Sequence, residues 1–383
     1  MKLVHFSDTH LGFNDLDIVS EYGINQREAD FYDAFSQVID KILNIKPDYA
    51  VHTGDLFHRP HPSNRAISFC LSQLKRLSAA KIKTVIIAGN HSTPRTKSSS
   101  PILAALGSLD YVYPVFDERY EAISFDDVVF HCIPHIHDEE ANLQAIEECE
   151  GAIDGAKPNV MLLHCSVGNA YMMEEYGERV YPKDKEYLFE KMDYVALGHW
   201  HGFGKVGKHA NVFYSGSTER TSSADARNEK GFAVVELGEA LNVSFEPIKL
   251  RASHKISVDA ALDEDIFVQL HRVHSGIETD GALLYITVQN LTASQSIDIS
   301  SKDIEAVFAN ALSVQISRKF RSVAAQSTAE PVSSATLQEY FSMFLKEQCK
   351  EDAEFARLEG KIDALFARYD EEIGRASCRE RVS

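Results

Sequence analysis

The chain contains six short apolar runs of strand length, and five of them stop directly at residues that can bind metal ions. Parallel strands end at one edge of a sheet, and open α/β proteins build their sites there. We therefore expect these polar side chains to lie close together on loops at that edge. The motifs are Asp8-Thr9-His10, Gly54-Asp55, Gly89-Asn90-His91, His164 and Gly198-His199-Trp200-His201. The sixth run, residues 128–132, ends without an obvious set of ligands.

Helical and strand-like segments alternate between these motifs. Apolar residues recur at helical spacing over residues 31–43 and 67–77, which predicts two amphipathic helices. Short loops between strands and helices indicate a largely parallel sheet covered by helices. Further strands without long intervening helices predict a second, more antiparallel sheet packed on the first. These strands are expected at residues 111–116, 128–131, 211–214 and 231–237. The predicted fold class is α/β, a sandwich of two sheets flanked by helices.

The composition changes after residue 250. Residues 251–325 contain two candidate strands, at 266–270 and 283–289, and a helical segment near 303–312. This pattern predicts a small α+β module that follows a first domain over residues 1–250.

Three segments complete the predicted organisation. Residues 326–335 are small and polar, as in a linker. Apolar residues at steps of three and four predict amphipathic helices over 336–373. These helices could pack on their own domain or dock on the helices of a partner. Residues 374–383 have no apolar periodicity, and we expect a disordered or non-native extension.

The net charge of −18 argues against a general nucleic-acid coat protein, which would be basic. It does not exclude an enzyme that binds phosphates locally, because net charge concerns long-range association. Basic residues on the motif loops could serve this purpose, or could be ordinary solvated side chains: Arg59, Arg65, Arg95, Lys97, Lys205, Lys208, Arg220 and Arg227. Six cysteines without paired spacing, no span of membrane length and no room for a signal peptide favour a cytoplasmic protein.

The spacing within two motifs allows each of them to supply a pair of ligands. Residues i and i+2 of an extended backbone point to the same side, so Asp8 and His10 converge, as do His199 and His201. Asp55, Asn90 and His164 complete two adjacent metal sites. Carboxylate, amide and imidazole ligands suit Mn²⁺, Fe or Zn²⁺ in an open site. Two ions about 3.5–4 Å apart polarise a phosphoryl oxygen and activate water.

Each motif alone is weak, but their order and placement together resemble the signature of the calcineurin-like metallophosphoesterase superfamily. Within it, Gly54-Asp55-Leu56-Phe57-His58 and Gln26-Arg27-Glu28-Ala29-Asp30-Phe31 resemble SbcD-type DNA repair exonucleases. Those are nuclease subunits of a double-strand-break repair complex with an SMC-like ATPase. The resemblance implies a two-sheet metallophosphoesterase sandwich over residues 1–250 and a capping module that contacts DNA over 251–325. It also implies helices at 336–373 that dock the ATPase.

The resemblance also implies a role for each site residue. Three residues would hold the first metal ion: Asp8, His10 and His201. Three would hold the second: Asn90, His164 and His199. Asp55 would bridge the two ions. His91 would face the scissile phosphate, where it would stabilise charge or protonate the leaving oxygen. His58 would help to orient the phosphate or the DNA end.

The implied activity is manganese-dependent hydrolysis of DNA, as a 3′-to-5′ exonuclease and a single-strand endonuclease. A homodimer through the helices at residues 28–43 and 63–77 is implied as well. Two alternatives remain open: a metallophosphatase or cyclic-nucleotide phosphodiesterase of the same fold, and an inert binding scaffold. The apolar tail favours the repair nuclease, because a small-molecule phosphatase needs no docking helices.

Ser92 departs from the family pattern, in which Asp usually follows Gly-Asn-His. A carboxylate beside His91 would favour the imidazolium, whereas a hydroxyl could orient the ring without adding charge. We therefore expect Ser92→Asp to extend activity to higher pH. Four other histidines are interpreted as structural, loop or supporting residues: His52, His131, His135 and His137.

Overall fold

The computed structural model describes residues 1–20, 23–94, 100–153, 155–168 and 179–321. Its first sheet has six strands in the order β12-β11-β1-β2-β3-β4. The strands β1 to β4 pair in parallel, and β11 and β12 are antiparallel at one edge. The strands are β1 (Lys2–Phe6), β2 (Tyr49–His52), β3 (Lys83–Ile87), β4 (Val112–Val115), β11 (Gly231–Leu237) and β12 (Leu241–Pro247).

The second sheet also has six strands, in the order β5-β6-β7-β8-β10-β9. The four central strands are parallel, and the two edge strands are antiparallel to their neighbours. The strands are β5 (Glu121–Ser124), β6 (Val129–Ile133), β7 (Asn159–His164), β8 (Tyr194–Gly198), β9 (Gly204–Lys205) and β10 (Val212–Tyr214).

The predicted two-sheet sandwich is confirmed, but the expectation of a more antiparallel second sheet is wrong. Each sheet combines three parallel and two antiparallel pairs. Two strands predicted for the second sheet, at residues 111–116 and 231–237, form β4 and β11 of the first. Strand order along the chain does not reveal sheet membership, because β11 returns to pair with β1 after the whole second sheet has formed.

Helices cover the outer faces of the sandwich, and apolar side chains fill the space between the sheets. Leu3, Val85 and Phe130 belong to the central core, in which both sheets take part. The outer face of the first sheet packs against α1 and α2, and that of the second packs against α3 and a short 3₁₀ segment. These elements are α1 (Gln26–Ile45), α2 (Asn64–Ala79), α3 (Glu139–Gly151) and the 3₁₀ segment Lys183–Lys191.

Capping residues set the bounds of these helices. The Asn25 side chain accepts hydrogen bonds from the backbone N–H groups of Arg27 and Glu28, which begins α1. Lys46 ends it in the left-handed conformation, with φ of 52°. The Ser63 side chain caps α2 through the N–H of Ala66. The sequence therefore encodes these helices both by apolar spacing and by their first residues.

A third, three-stranded parallel sheet lies in the chain after residue 250. Its strands are β13 (Ser253–Asp259), β14 (Leu283–Leu291) and β15 (Ser313–Phe320), and its helices are α4 (Ile266–Gly276), α5 (Ala293–Asp298) and α6 (Ser301–Val307). Helices α4 and α6 contribute Leu270 and Ile304 to its core. The predicted strand at residues 266–270 is wrong, since these residues begin α4. Asp265 caps that helix through the N–H of Phe267.

The predicted linker at 326–335, the helices at 336–373 and the tail at 374–383 lie outside the described residues. The predicted domain boundaries therefore stay predictions. Among the residues that the structure describes, no helix has both the length and the apolar content needed to cross a bilayer.

Candidate metal centre

The polar residues that follow the strands converge where the carboxyl edges of the two sheets meet. Asp8, Asp55 and Asn90 come from the loops after β1, β2 and β3 of the first sheet. His164 ends β7 and His199 follows β8 in the second sheet. The structure thus brings together all seven predicted ligands: Asp8, His10, Asp55, Asn90, His164, His199 and His201.

One group of three predicted ligands surrounds a single point. The Oδ1 atom of Asp8 lies 3.9 Å from Nε2 of His10 and 3.8 Å from Nε2 of His201. The two Nε2 atoms are 3.3 Å apart. One carboxylate oxygen and two imidazole nitrogens within this distance form a donor set that matches a divalent cation.

A second group adjoins the first. Nε2 of His164 lies 3.3 Å from Oδ2 of Asp55 and 2.9 Å from Oδ1 of Asn90. The ring of His199 packs edge-to-face on His164, with the ring centroids 5.3 Å apart. Asp8 joins the two groups, because its carboxylate also lies within 4.8 Å of the ligand atoms of Asp55 and His164. Its Oδ2 accepts a hydrogen bond of 3.0 Å from the N–H of His199.

Hydrogen bonds determine which ring nitrogen of His164 faces the site. Nδ1 lies 2.7 Å from the carbonyl oxygen of Thr53 and must donate to it. Nε2 is then the nitrogen that would present its lone pair to a cation. Histidines that bind metal ions commonly donate a hydrogen bond of this kind from the ring nitrogen that does not coordinate the metal.

The charges around His164 are those expected of a site that binds a cation. Burial alone lowers the pKa of this imidazole, but the charge and hydrogen bond of Asp55, with the charge of Asp8 and the carbonyl oxygen of Thr53, together outweigh burial and raise the pKa to about 9. Burial likewise opposes ionisation of Asp55, and His164 holds its pKa well below the usual range. The oxygen atoms around Nε2 therefore attract positive charge strongly. A donor set that binds a proton this well also fits a divalent ion, which would have to displace that proton.

Four of the seven predicted ligands have backbone conformations that are rare for residues with side chains. The φ angles are 50° at Asp8, 43° at His10, 54° at Asp55 and 94° at His199. Such conformations cost roughly 1–3 kcal/mol each and concentrate at functional sites. The unusual φ angles at these four positions are therefore consistent with a functional site.

Close packing of the loops leaves no room for a β-carbon at the motif glycines, of which Gly89 and Gly198 are examples. A β-carbon at Gly89 would overlap the carboxylate and the backbone nitrogen of Asp55. One at Gly198 would overlap the carbonyl oxygen of Thr53 and the hydroxyl of Ser7. Gly89 thus allows the loops after β2 and β3 of the first sheet to approach each other, and Gly198 allows a loop of the second sheet to approach the first.

His91 and His58 lie together beside the first ligand group. Their rings stack with centroids 5.2 Å apart, and Nδ1 of His91 donates to the carbonyl oxygen of His58 over 2.9 Å. The backbone N–H of His91 donates to Oδ1 of Asp55 over 2.9 Å. Nδ1 of His58 faces Nδ1 of His10 at 3.5 Å. Both predicted catalytic residues therefore contact the metal centre, and both are half-buried rather than enclosed.

The structure does not show the contact that the sequence allowed for Ser92. Its hydroxyl is buried and has no hydrogen-bond partner among the described residues. The carbonyl oxygen of His58 orients the ring of His91 instead. The expectation that Ser92 could orient His91 is therefore wrong, although no predicted metal ligand depends on it.

The other histidines have structural surroundings. His131 is buried and bonded to the Tyr120 hydroxyl and the Asn159 amide oxygen, at 2.8 Å and 2.9 Å. His137 is exposed and pairs with a glutamate at 3.1 Å. His135 and His164 line the same small cavity.

His52 supports the loop between two predicted ligands. Its Nε2 lies 3.1 Å from the hydroxyl of Thr9, and that hydroxyl also donates to the carbonyl oxygen of Leu56. Burial lowers the pKa of His52 to about 3, so the ring is neutral at pH 7. The prediction of a buried or supporting residue agrees with this position.

The predicted basic residues have different surroundings. Arg59, Lys205, Lys208 and Arg227 are exposed. The guanidinium group of Arg220 donates to the backbone oxygens of two other segments, which indicates a structural role. The exposed Arg65 pairs with Glu28 at 3.4 Å. Arg95 and Lys97 lie outside the part of the chain that the structure describes.

The sequence motifs did not identify the residues that contact the predicted ligands on the side away from the centre, chiefly Asp225 and Lys230. Asp225 lies 3.2 Å from Nδ1 of His201, and Lys230 lies 3.0 Å from Asp225. The signal was weak, because neither residue follows an apolar run or belongs to a ligand motif. Only the buried position of the lysine side chain in the fold reveals the pair.

Comparisons with known proteins agree with this geometry. Residues 1–203 match the family described as Calcineurin-like phosphoesterase. The chain is 32% identical to the DNA double-strand break repair protein Mre11 of Methanocaldococcus jannaschii over 271 residues, which cover 68% of this chain and 69% of the relative. It is 28% identical to the Mre11 protein of Methanococcus maripaludis over 249 residues, 62% of this chain and 63% of the relative.

A third Mre11 protein, from Thermoplasma acidophilum, is 27% identical over 267 residues, 65% of each chain. These similarities confirm the family resemblance that the metal-ligand motifs indicated. The chain belongs to the calcineurin-like phosphoesterases and, within that superfamily, to the family of the Mre11 repair proteins.

Proposed function

We propose that this protein is a metal-dependent nuclease that hydrolyses DNA phosphodiester bonds in the repair of double-strand breaks. The observation that carries the proposal is the convergence of seven metal-binding side chains at the joined edges of two sheets. The names of the relatives supply the substrate and the process.

The ligand groups support a centre for two divalent cations, and the family resemblance implies manganese as the preferred ion. Asp8, His10 and His201 would hold one ion; Asn90, His164 and His199 would hold the other; and Asp55 would bridge them. When bound, two such ions polarise the phosphate and lower the pKa of the water between them. Iron and zinc also suit this mixture of oxygen and nitrogen donors.

His91 is the side chain best placed to act on the phosphate. Its Nδ1 is occupied by the carbonyl oxygen of His58, so Nε2 is the nitrogen available to substrate. The bond from its backbone to Asp55 holds the ring at the edge of the metal centre. We propose that Nε2 stabilises charge on the phosphate or donates a proton to the leaving 3′-oxygen.

His58 would act without a charge. Burial, and next the proximity of His91, lower its pKa to about 4, so the imidazole is neutral near pH 7. A neutral ring orients a phosphate or a DNA end by hydrogen bonding rather than by ion pairing. Its Nδ1 also faces His10, so the same residue would steady one metal ligand.

Exposed basic residues would position the strand. Arg59 lies next to His58, and three further basic residues are exposed in the chain after His201: Lys205 on β9, Lys208 and Arg227. Contacts to phosphate groups fix a strand without reading its sequence. The overall negative charge would then confine DNA binding to the region of these residues.

Two protein partners complete the proposal. Ile67, a half-buried apolar residue on α2, supports a homodimer through α1 and α2. An SMC-like ATPase would dock on residues 336–373, outside the described part of the chain. Sedimentation of wild type beside an Ile67→Glu variant would test the dimer.

A nuclease assay tests the proposed activity. A 3′-labelled duplex, a single-stranded oligonucleotide and a cyclic nucleotide are each incubated with and without Mn²⁺. We expect metal-dependent cleavage of both DNA substrates. Turnover of the cyclic nucleotide with intact DNA would instead identify a small-molecule phosphodiesterase.

The variant His91→Gln separates chemistry from metal capture. We expect it to bind Mn²⁺ like wild type and to cleave DNA about 10²–10⁴-fold more slowly. The matched control is His209→Gln, which changes a buried histidine that pairs with Glu186. A His91 variant that cleaves at the rate of the control would contradict the proposed role.

A further inference from the structure

A carboxylate and a hydroxyl lie behind the ligand His201. Oδ2 of Asp225 is 3.2 Å from Nδ1 of His201, and Oγ1 of Thr221 is 3.1 Å from the same atom. The Thr221 hydroxyl and backbone N–H both lie within hydrogen-bond distance of this Asp225 oxygen, at 3.2 Å and 3.3 Å. The Asp225 oxygen is thus held in place by groups other than the imidazole.

The other oxygen of Asp225 faces a buried ammonium group. The side chain of Lys230 has no exposed surface, and its Nζ lies 3.0 Å from Oδ1 of Asp225. Nζ also donates to the hydroxyl of Ser217 over 2.8 Å and to the carbonyl oxygen of His201 over 2.7 Å. A lysine has three donors, and all three have acceptors here. A charged ammonium group can be buried here because each of its donors makes a hydrogen bond.

We propose that Asp225, held by Lys230, is a positioning residue that fixes the tautomer of His201. An ionised carboxylate only accepts hydrogen bonds, so Nδ1 of His201 must carry the proton. Nε2 then presents its lone pair toward Asp8 and His10, the other members of its ligand group. Lys230 holds the backbone of the same histidine. This inference rests on the proposed role of His201 as a metal ligand.

The alternative is that Asp225 only neutralises Lys230. The near-isosteric variant Asp225→Asn distinguishes the two roles. Lys230 needs an oxygen acceptor, so the amide oxygen would face the ammonium group and the amide NH₂ would face His201. Nδ1 would then have to accept, and the proton would move to Nε2, where it blocks metal binding. A purely neutralising role predicts a loss of stability without a change of tautomer.

The experiment measures metal affinity and tautomer together. Mn²⁺ is titrated into the full chain by calorimetry, and ¹⁵N spectra of histidine-labelled, metal-free protein identify the protonated nitrogen of His201. The matched control is Glu186→Gln, which also replaces a carboxylate beside a histidine, with Oε2 3.2 Å from Nε2 of His209. That histidine belongs to neither ligand group.

We expect Asp225→Asn to weaken Mn²⁺ binding by about 10–100-fold and the control to bind like wild type. An Asp225→Asn protein that folds and keeps wild-type affinity would overturn the inference. The spectrum of the wild type decides the matter even when the variant does not fold: His201 protonated on Nε2 would overturn the proposal. Failure of wild-type protein to bind Mn²⁺ would instead refute the proposed function.

Discussion

Metal binding to this protein should become weaker as the pH falls, because a proton competes with the cation for His164. Burial lowers the pKa of this imidazole, but Asp55, Asp8 and the carbonyl oxygen of Thr53 together raise it to about 9. A cation that binds Nε2 near neutral pH must therefore release a proton. The test is to add Mn²⁺ to metal-free protein at a series of pH values between 6 and 8 and to measure the apparent affinity.

The magnitude follows from the single proton. Below a pKa of about 9, each pH unit lowers the apparent affinity about tenfold when one proton is displaced. The expected difference between pH 8 and pH 6 is about 100-fold from His164 alone. His10 adds nothing to this effect, since burial lowers its pKa well below the ordinary value and it is already neutral.

The stability of the metal-free protein should have the opposite trend. A pKa that is higher in the folded than in the unfolded chain stabilises the fold fully below about 6.5, the ordinary histidine value. This contribution is lost as the pH rises through about 9. Metal-free protein should therefore melt at a lower temperature at pH 8.5 than at pH 7, whereas Mn²⁺ should stabilise it more at the higher pH.

Calorimetry in two buffers of different ionisation enthalpy counts the released protons, and NMR titration assigns them. His131 is the internal control, because burial lowers its pKa and it should not take up a proton above pH 6.5. A measured pKa of His164 at or below 6.5, or Mn²⁺ binding at pH 7 without proton release, would refute the reasoning.

Three further predictions concern other parts of the molecule. Gly89→Ala should cost about 1–3 kcal/mol in urea unfolding and weaken Mn²⁺ binding, because its β-carbon overlaps Asp55; Gly238→Ala, in open space, should do neither. Trp200, the chain's single tryptophan, lies between two proposed ligands in the sequence, and Mn²⁺ should quench its fluorescence emission. Unchanged emission at saturating Mn²⁺ would contradict the proposed site. Asp30→Asn should cost about 3 kcal/mol, because its nearly buried carboxylate pairs with two arginines; equal unfolding midpoints would contradict this.

The convergence of the proposed ligands was predictable because one physical rule connects their positions. Side chains that follow parallel strands must meet at the carboxyl edge, whichever order the strands adopt. Asp8, Asp55 and Asn90 obey this rule in one sheet, and His164 and His199 in the other. The rule needs only strand ends, which apolar runs mark clearly.

The arrangement of the strands was less accessible, because it depends on contacts distant in sequence. Residues 231–237 read as a strand, but nothing in them specifies pairing with β1 rather than with a strand of the second sheet. Residues 266–270 combine β-branched and aromatic types that suit a strand. These residues form a helix rather than a strand because Asp265 caps its first turn and Leu270, one turn further on, packs into the core.

The supporting residues were invisible for a different reason. A ligand must present a particular atom type, which limits it to a few residues at a strand end. A residue that only orients a ligand has to accept just one hydrogen bond from it. Thr53 accepts such a bond from His164 with its backbone oxygen, which any residue would supply. Asp225 does so for His201 with a side chain 24 residues away. Sequence motifs thus encode which side chains meet at the proposed metal centre, whereas the groups that would set the tautomers of those side chains are brought to them by the tertiary fold.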